Sequence, residues 1–308
     1  MQPVAIPFLL LVGSLLAVQA AANVQLSAAM QSAFGASTLQ LGIGAGLLLA
    51  LAAVAGSLSA FELVGDAEPW MLVGGLGSAV YITAGILLFP RLGALVAVGL
   101  FIAGQMAASL ALDGFGWLGV AQEPLGIAAL AGAPAVVSGT GLIVRAQAGA
   151  EAIGEAARRR RPWLALGFGA GAALPVQGAI NAELNGELDA AIAVGALSFV
   201  VATLAMALVL AAVLAAGRQA PRVAPLQRVP WWAWLGGLCG ATYVISVFLL
   251  IPEIGAAPVV VLTVAGQQLA SVAVDRYGLL RLQRRPISRR RLGGVAVLLA
   301  GVALITLA

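Results

Sequence analysis

The sequence predicts an all-α integral membrane protein of ten transmembrane helices arranged as two inverted five-helix repeats. Three observations carry this: the composition, the spacing of apolar runs, and an internal repeat with an odd number of helices. Of 308 residues, 62% are apolar and 9% charged, against about 25% charged in an ordinary soluble domain. A water-facing surface cannot be built from so few charges, whereas roughly ten spans of about 20 residues can.

Apolar runs bounded by turn residues or charges predict helices near 4–26, 38–60, 70–89, 93–112, 124–144, 163–183, 190–216, 231–250, 256–274 and 292–308. The first run ends in small residues at Ala20–Ala22, like a secretory signal, but lacks a positive leading region. Its pattern also recurs in mid-chain, which a removable signal would not do. Leu16-Ala-Val-Gln-Ala-Ala-Ala-Asn23-Val-Gln-Leu26 matches Leu174-Pro-Val-Gln-Gly-Ala-Ile-Asn181-Ala-Glu-Leu184, 158 residues later. Farther on, Gly74, Gly75, Tyr81, Pro90, Gly93, Gly104, Gln105, Ser109, Asp113, Gly116 and Gly139 recur 162 residues later. Their counterparts are Gly236, Gly237, Tyr243, Pro252, Gly255, Gly266, Gln267, Ser271, Asp275, Gly278 and Gly301. The expected units are residues 1–145, an Arg-rich cytoplasmic linker at 146–162, and residues 163–308.

Five helices per unit place the second unit in the membrane upside down. Charge agrees. Arg91, Arg145, Arg158 to Arg161, Arg218, Arg222, Arg228 and the seven arginines from Arg276 to Arg291 fall in alternate loops, while the loops between hold Glu62, Asp66, Glu68, Asp113, Glu123, Glu183, Glu187, Asp189 and Glu253. By the positive-inside rule the linker is cytoplasmic and both termini lie outside. The chain has no histidine and one cysteine, Cys239, which excludes a disulfide framework, a Cys/His metal site and histidine-based catalysis. The net charge of +4 is assigned to orientation rather than to nucleic acid, and no cofactor is expected.

A polar side chain in hydrocarbon bonds a neighbouring helix or lines a cavity. Gln19 and Asn23 share one helix face, as do Gln177 and Asn181, with Pro175 poised to kink the second helix. Gln105, Ser109 and Asp113 form a stripe at four-residue spacing, repeated as Gln267, Ser271 and Asp275. Tyr81 and Tyr243 lie in mid-helix rather than at the interface where tyrosine usually sits, so each is expected to face inward. Gln19, Asn23, Tyr81, Gln105, Ser109, Gln177, Asn181, Tyr243, Gln267 and Ser271 are therefore the candidate substrate-binding residues. Asp113, Glu183 and Asp275, near helix ends, are candidates for coupling or gating, although a carboxylate at such a boundary is more often a solvated cap. Trp70, Trp231 and Trp232 read as interfacial anchors, and the Gly74-Gly75 and Gly236-Gly237 pairs as close-packing sites.

The segment from Pro175-Val-Gln177 through Asn181 and Leu184, with Ser198-Phe199, Gly236-Gly237, Pro252, Gly266-Gln267, Ser271, Asp275 and Arg291-Leu-Gly-Gly294, resembles the YdcZ-like family of the drug/metabolite transporter superfamily. Members are commonly five-helix proteins, and this chain looks like two such units fused. The resemblance implies a bacterial inner-membrane transporter with helices 1–4 and 6–9 around a central cavity and helices 5 and 10 peripheral. The first copy departs from the pattern. Ala17 stands where the second has Pro175, Gln25 stands opposite Glu183, and Ser198-Phe199 has no clear counterpart in the second helix. The superfamily's small multidrug members use a glutamate embedded in their first helix, which is missing here.

The function expected is a secondary transporter or facilitator, an exporter of small polar or amphipathic metabolites that works by alternating access as a monomer in the lipid bilayer. The rival is a non-transporting membrane scaffold or a membrane-embedded enzyme. The enzyme lacks a nucleophile paired with a base, and a passive scaffold gains nothing from two opposed copies.

Overall fold

The computed structural model describes residues 5–120, 122, 126–148, 155–254 and 256–306. Glu123, Gly255 and positions 149–154 of the expected linker lie outside the described residues, as do the side chains of Pro252 and Glu253. The described residues form ten α-helices joined by turns and short 3₁₀ segments. They are α1 (Ala5–Met30), α2 (Ala33–Val54), α3 (Leu76–Leu92), α4 (Ala94–Phe115), α5 (Ile127–Ala148), α6 (Glu155–Leu188), α7 (Ala191–Ala215), α8 (Gly236–Ile254), α9 (Ala256–Tyr277) and α10 (Arg289–Thr306). Among the described residues, seven segments, corresponding to α1 to α7, are long and apolar enough to cross a membrane.

Several boundaries differ from expectation. The helix expected over 38–60 stops at Val54, and Ser57–Gly65 is a 3₁₀ helix. The helices expected from 70 and from 231 each begin with a 3₁₀ turn, at Pro69–Val73 and Trp231–Leu235, and a neighbouring helix lies close against the glycine pair that follows. Within the stretch expected as a linker, α6 begins at Glu155 and runs through Arg158–Arg161 and Pro162. Trp231 is largely exposed, as an interfacial anchor should be, while Trp232 packs partly against the core.

Packing is by small residues, the usual way helices approach when lipid removes the hydrophobic incentive. A side chain at Gly104 on α4 would collide with the Phe168 carbonyl of α6, and one at Gly266 on α9 with the Leu10 carbonyl of α1. Gly171 on α6 is likewise blocked by the Phe101 backbone and Gly13 on α1 by the Thr263 backbone. These four contacts exchange in pairs when each residue is replaced by its repeat counterpart. The same exchange holds for whole helices: α3 packs on α6 as α8 packs on α1, α2 packs on α7, and α5 packs on α10 at the periphery. The turns repeat too. Gly116 and Gly278 both cap the preceding helix at positive φ, 64° and 65°, donating to the Leu112 and Val274 carbonyls.

The two ends of the bundle carry opposite charge. At one end the Arg222 amide donates to the Met30 carbonyl, Arg285 donates to the Pro90 carbonyl at 3.0 Å, and Arg91 stacks over Trp163. The opposite end holds Glu183, whose carboxylate packs against Gly119.

Candidate functional site

Where the two halves meet, six helices enclose a cavity of about 220 Å³. Leu16 and Gln19 come from α1, Ser78, Tyr81 and Ile82 from α3, and Gln105, Met106 and Ser109 from α4. The remaining wall is Leu174, Pro175, Gln177, Gly178 and Asn181 of α6, Phe199 of α7, and Gly240, Tyr243 and Val244 of α8. The lining is apolar with a few placed amides and hydroxyls, the usual make-up of a small-molecule site. None of its side chains is charged.

Seven of the ten candidate binding residues line this space: Gln19, Tyr81, Gln105, Ser109, Gln177, Asn181 and Tyr243. The other three stand behind or beside it. Gln267 on α9 reaches the cavity through a neighbour, donating its Nε2 to the Tyr81 hydroxyl at 2.5 Å. Ser271 is fully buried and donates to the Gln268 carbonyl at 2.7 Å. Asn23 is also fully buried, pressed against Gly236, and its amide has no hydrogen-bond partner.

The wall contributed by the second copy is a closed network. The Ser78 hydroxyl donates to Gln177 Oε1 at 2.9 Å. The Gln177 and Asn181 amides both donate to the Ser198 hydroxyl, at 3.3 and 3.1 Å. Such a network fixes rotamers because each member satisfies another in a low-dielectric interior. Across the cavity, Tyr81 rests on Phe101 with ring centroids 4.6 Å apart, and Tyr243 is hydrogen-bonded to Thr263. Gln105, the counterpart of Gln267, is 8% exposed, and its Nε2 has no partner.

Sequence reasoning missed Ser78 and Gln40, and named Ser198 only as part of the family resemblance. Ser198 and Gln40 lie 158 residues apart, the offset of the first repeat block, and hold equivalent places. Gly75 packs on the Ser198 carbonyl and Gly237 on the Gln40 carbonyl. The counterpart of Ser198 in the second helix is thus Gln40, whose Oε1 accepts from the Gly237 amide and whose Nε2 donates to the Ala233 carbonyl. The difference in side-chain type hid it, and the constant offset was the signal that could have found it.

The three boundary carboxylates differ. Asp113 is half-buried and continues the stripe from Ser109. Glu183 is half-buried against Gly119, and its counterpart Gln25 donates to the Leu280 carbonyl at 3.1 Å. Asp275 is not a solvated cap. It is 2% exposed and accepts from the Ala94 and Leu95 amides at the start of α4, at 2.9 and 3.2 Å, and from Arg291 at 2.8 Å. A carboxylate at a helix N-terminus is favourably placed for the four unpaired amides there.

An all-helical bundle with several membrane-length apolar helices and a polar, uncharged internal cavity defines the class: a multi-pass membrane protein. The family model described as "Putative inner membrane exporter, YdcZ" matches residues 4–142 and again residues 162–304. The chain belongs to the YdcZ family of inner-membrane exporters, which points to transport rather than to enzymatic chemistry. A solved crystal structure is similar in fold over 96% of each chain, with a TM-score of 0.53 at 20% identity. No curated protein sequence matches the chain.

Proposed function

We propose that the protein exports small polar or amphipathic metabolites by alternating access. In this reading ten spans form two inverted five-helix repeats, with residues 1–145 and 163–308 as the rocking units, the chain works as a monomer, and both termini lie outside. The observation that carries it is the central cavity, to which both repeats contribute, together with helix contacts that exchange under the repeat. An odd number of helices per repeat and the opposite charge of the two bundle ends favour inversion.

The seams beside the cavity suggest how access alternates. Ala20 on α1 is buried, with its Cβ beside Gly85 on α3, whereas its counterpart Gly178 on α6 is exposed and a side chain there would meet nothing. With the arginine-rich end cytoplasmic, the cavity is shut at the cytoplasmic α1–α3 seam and open beside α6 toward the outside. Asp275, Arg291 and the start of α4 then form a fastening on the shut side. Rocking requires that fastening to release as α6 closes on α8. The polar side chains orient the solute by uncharged hydrogen bonds, and the glycine contacts let helices slide.

Thermal-shift screening of the purified protein against a metabolite library, followed by flux of the hits from liposomes, tests the reading. Replacing Gln177 and Gln267 together with Leu is expected to abolish flux while leaving a folded protein; unchanged flux removes both from the site. A reporter fused after Ala308 tests the topology, and activity confined to the cytoplasm would overturn it.

A further inference from the structure

We infer that the cavity selects an uncharged solute that presents a neutral acceptor oxygen to Gln105 and an apolar body to the remaining walls. The inference rests on the reading of this cavity as the transport site and narrows the class of solute. Five of the eight polar side chains on the cavity wall hold a partner: Ser78 with Gln177, Gln177 and Asn181 with Ser198, Tyr81 with Gln267, and Tyr243 with Thr263. Of the other three, Gln19, Ser109 and Gln105, it is Gln105 whose donor, Nε2, is buried in the wall without a partner. A buried donor left unmade is costly, so it is the point at which a ligand gains most by supplying an acceptor.

The repeat says what kind of acceptor fits. In the other half, the equivalent amide of Gln267 donates to the phenol oxygen of Tyr81. The equivalent phenol for Gln105 would be that of Tyr243, but Tyr243 is bonded to Thr263. A ligand oxygen thus takes the place that a tyrosine hydroxyl holds on the opposite wall, which suits a carbonyl, hydroxyl or ether. Ile82, Met106, Phe199 and Val244 surround it with apolar surface. No charged side chain lines the cavity to compensate a carboxylate, phosphate or ammonium, and an unpaired ion is strongly disfavoured there. The volume lies below the about 300–1,000 Å³ of sites for drug-sized molecules, so the solute is the size of one ring with a short substituent.

Four probes that share a ring and differ in head group separate the possibilities: benzamide, toluene, benzoate and benzylammonium, each titrated calorimetrically into the purified full-length protein. Benzamide is expected to bind at least tenfold more tightly than either ion, and about 2- to 12-fold more tightly than toluene, the worth of one neutral hydrogen bond. Gln105→Met, which keeps the length and apolar stem of the side chain, should erase the preference over toluene alone. Gln105→Glu should turn the preference toward benzylammonium. An ion that binds best to the unaltered protein, a benzamide preference that survives Gln105→Met, or binding of none of the four overturns the inference. Expected binding without flux of any solute in liposomes would instead sink the transport reading and leave the solute class standing.

Discussion

The seam between α1 and α3 and the flank of α6 that faces α8 are built from matching stretches of sequence, yet one is packed and the other open. On α1, Leu16, Ala17, Ala20 and Val24 are all buried; on α6 their counterparts Leu174 and Pro175 are half-buried, and Gly178 and Ala182 are exposed. Tyr81 and Ile82 of α3 are buried, whereas Tyr243 and Val244 of α8 are only partly so. Duplication fixes which residues meet across the cavity but not how closely. Pro175, which removes a backbone donor where α1 has Ala17, and Gly178, which offers no side chain to fill the gap, are the local differences that accompany the opening.

Altering the buried Asp275–Arg291 pair should disturb this comparison most. Asp275→Asn leaves the Arg291 guanidinium buried without its carboxylate, a change that costs about 3–5 kcal/mol in comparable buried pairs. The expected outcome is a large fall in thermal stability, partly restored by Arg291→Met in the same chain. A melting temperature unchanged by Asp275→Asn would mean that the pair holds nothing. Next in size is Ala20→Leu, which overfills the α1–α3 seam and should cost about 1–3 kcal/mol in denaturant titration. If the seam is a gate, a cysteine on its cytoplasmic side should also become more reactive toward a maleimide. Tyr81→Phe removes the acceptor for Gln267, and the orphaned amide predicts a loss of about 1–3 kcal/mol, read in the same titration. Smallest in stability and most telling in function is Gly178→Leu, which enters open space in the present state and should leave the melting temperature unchanged while blocking closure and flux. Retained flux in that variant would show that α6 does not close.

Most of this architecture is legible in the sequence because helices in lipid announce themselves by length and apolarity, and because duplication writes each contact twice. The glycine pairs at 74–75 and 236–237 were expected to permit close packing, and side chains there would strike Asn181, Ser198, Asn23 and Gln40. What the sequence concealed depends on pairing between distant residues. Asn23 and Asn181 are identical in type and place, but Asn181 finds the Ser198 hydroxyl while Gln40, in the equivalent position, is already occupied by the Gly237 amide and the Ala233 carbonyl. Asp275 looked like a solvated cap because it lies at a helix end. Its burial comes from α4 and α10, which no local pattern predicts.

The position equivalent to Arg291 in the first half is Ala129, 162 residues earlier. A protein assembled from two identical small subunits could not hold an arginine at one door and an alanine at the other, since every substitution would appear at both. Joining the halves in a single polypeptide frees each exit to acquire its own strength. Under the alternating access proposed above, the resting population, and with it the side on which the protein waits for cargo, becomes something selection can set one residue at a time.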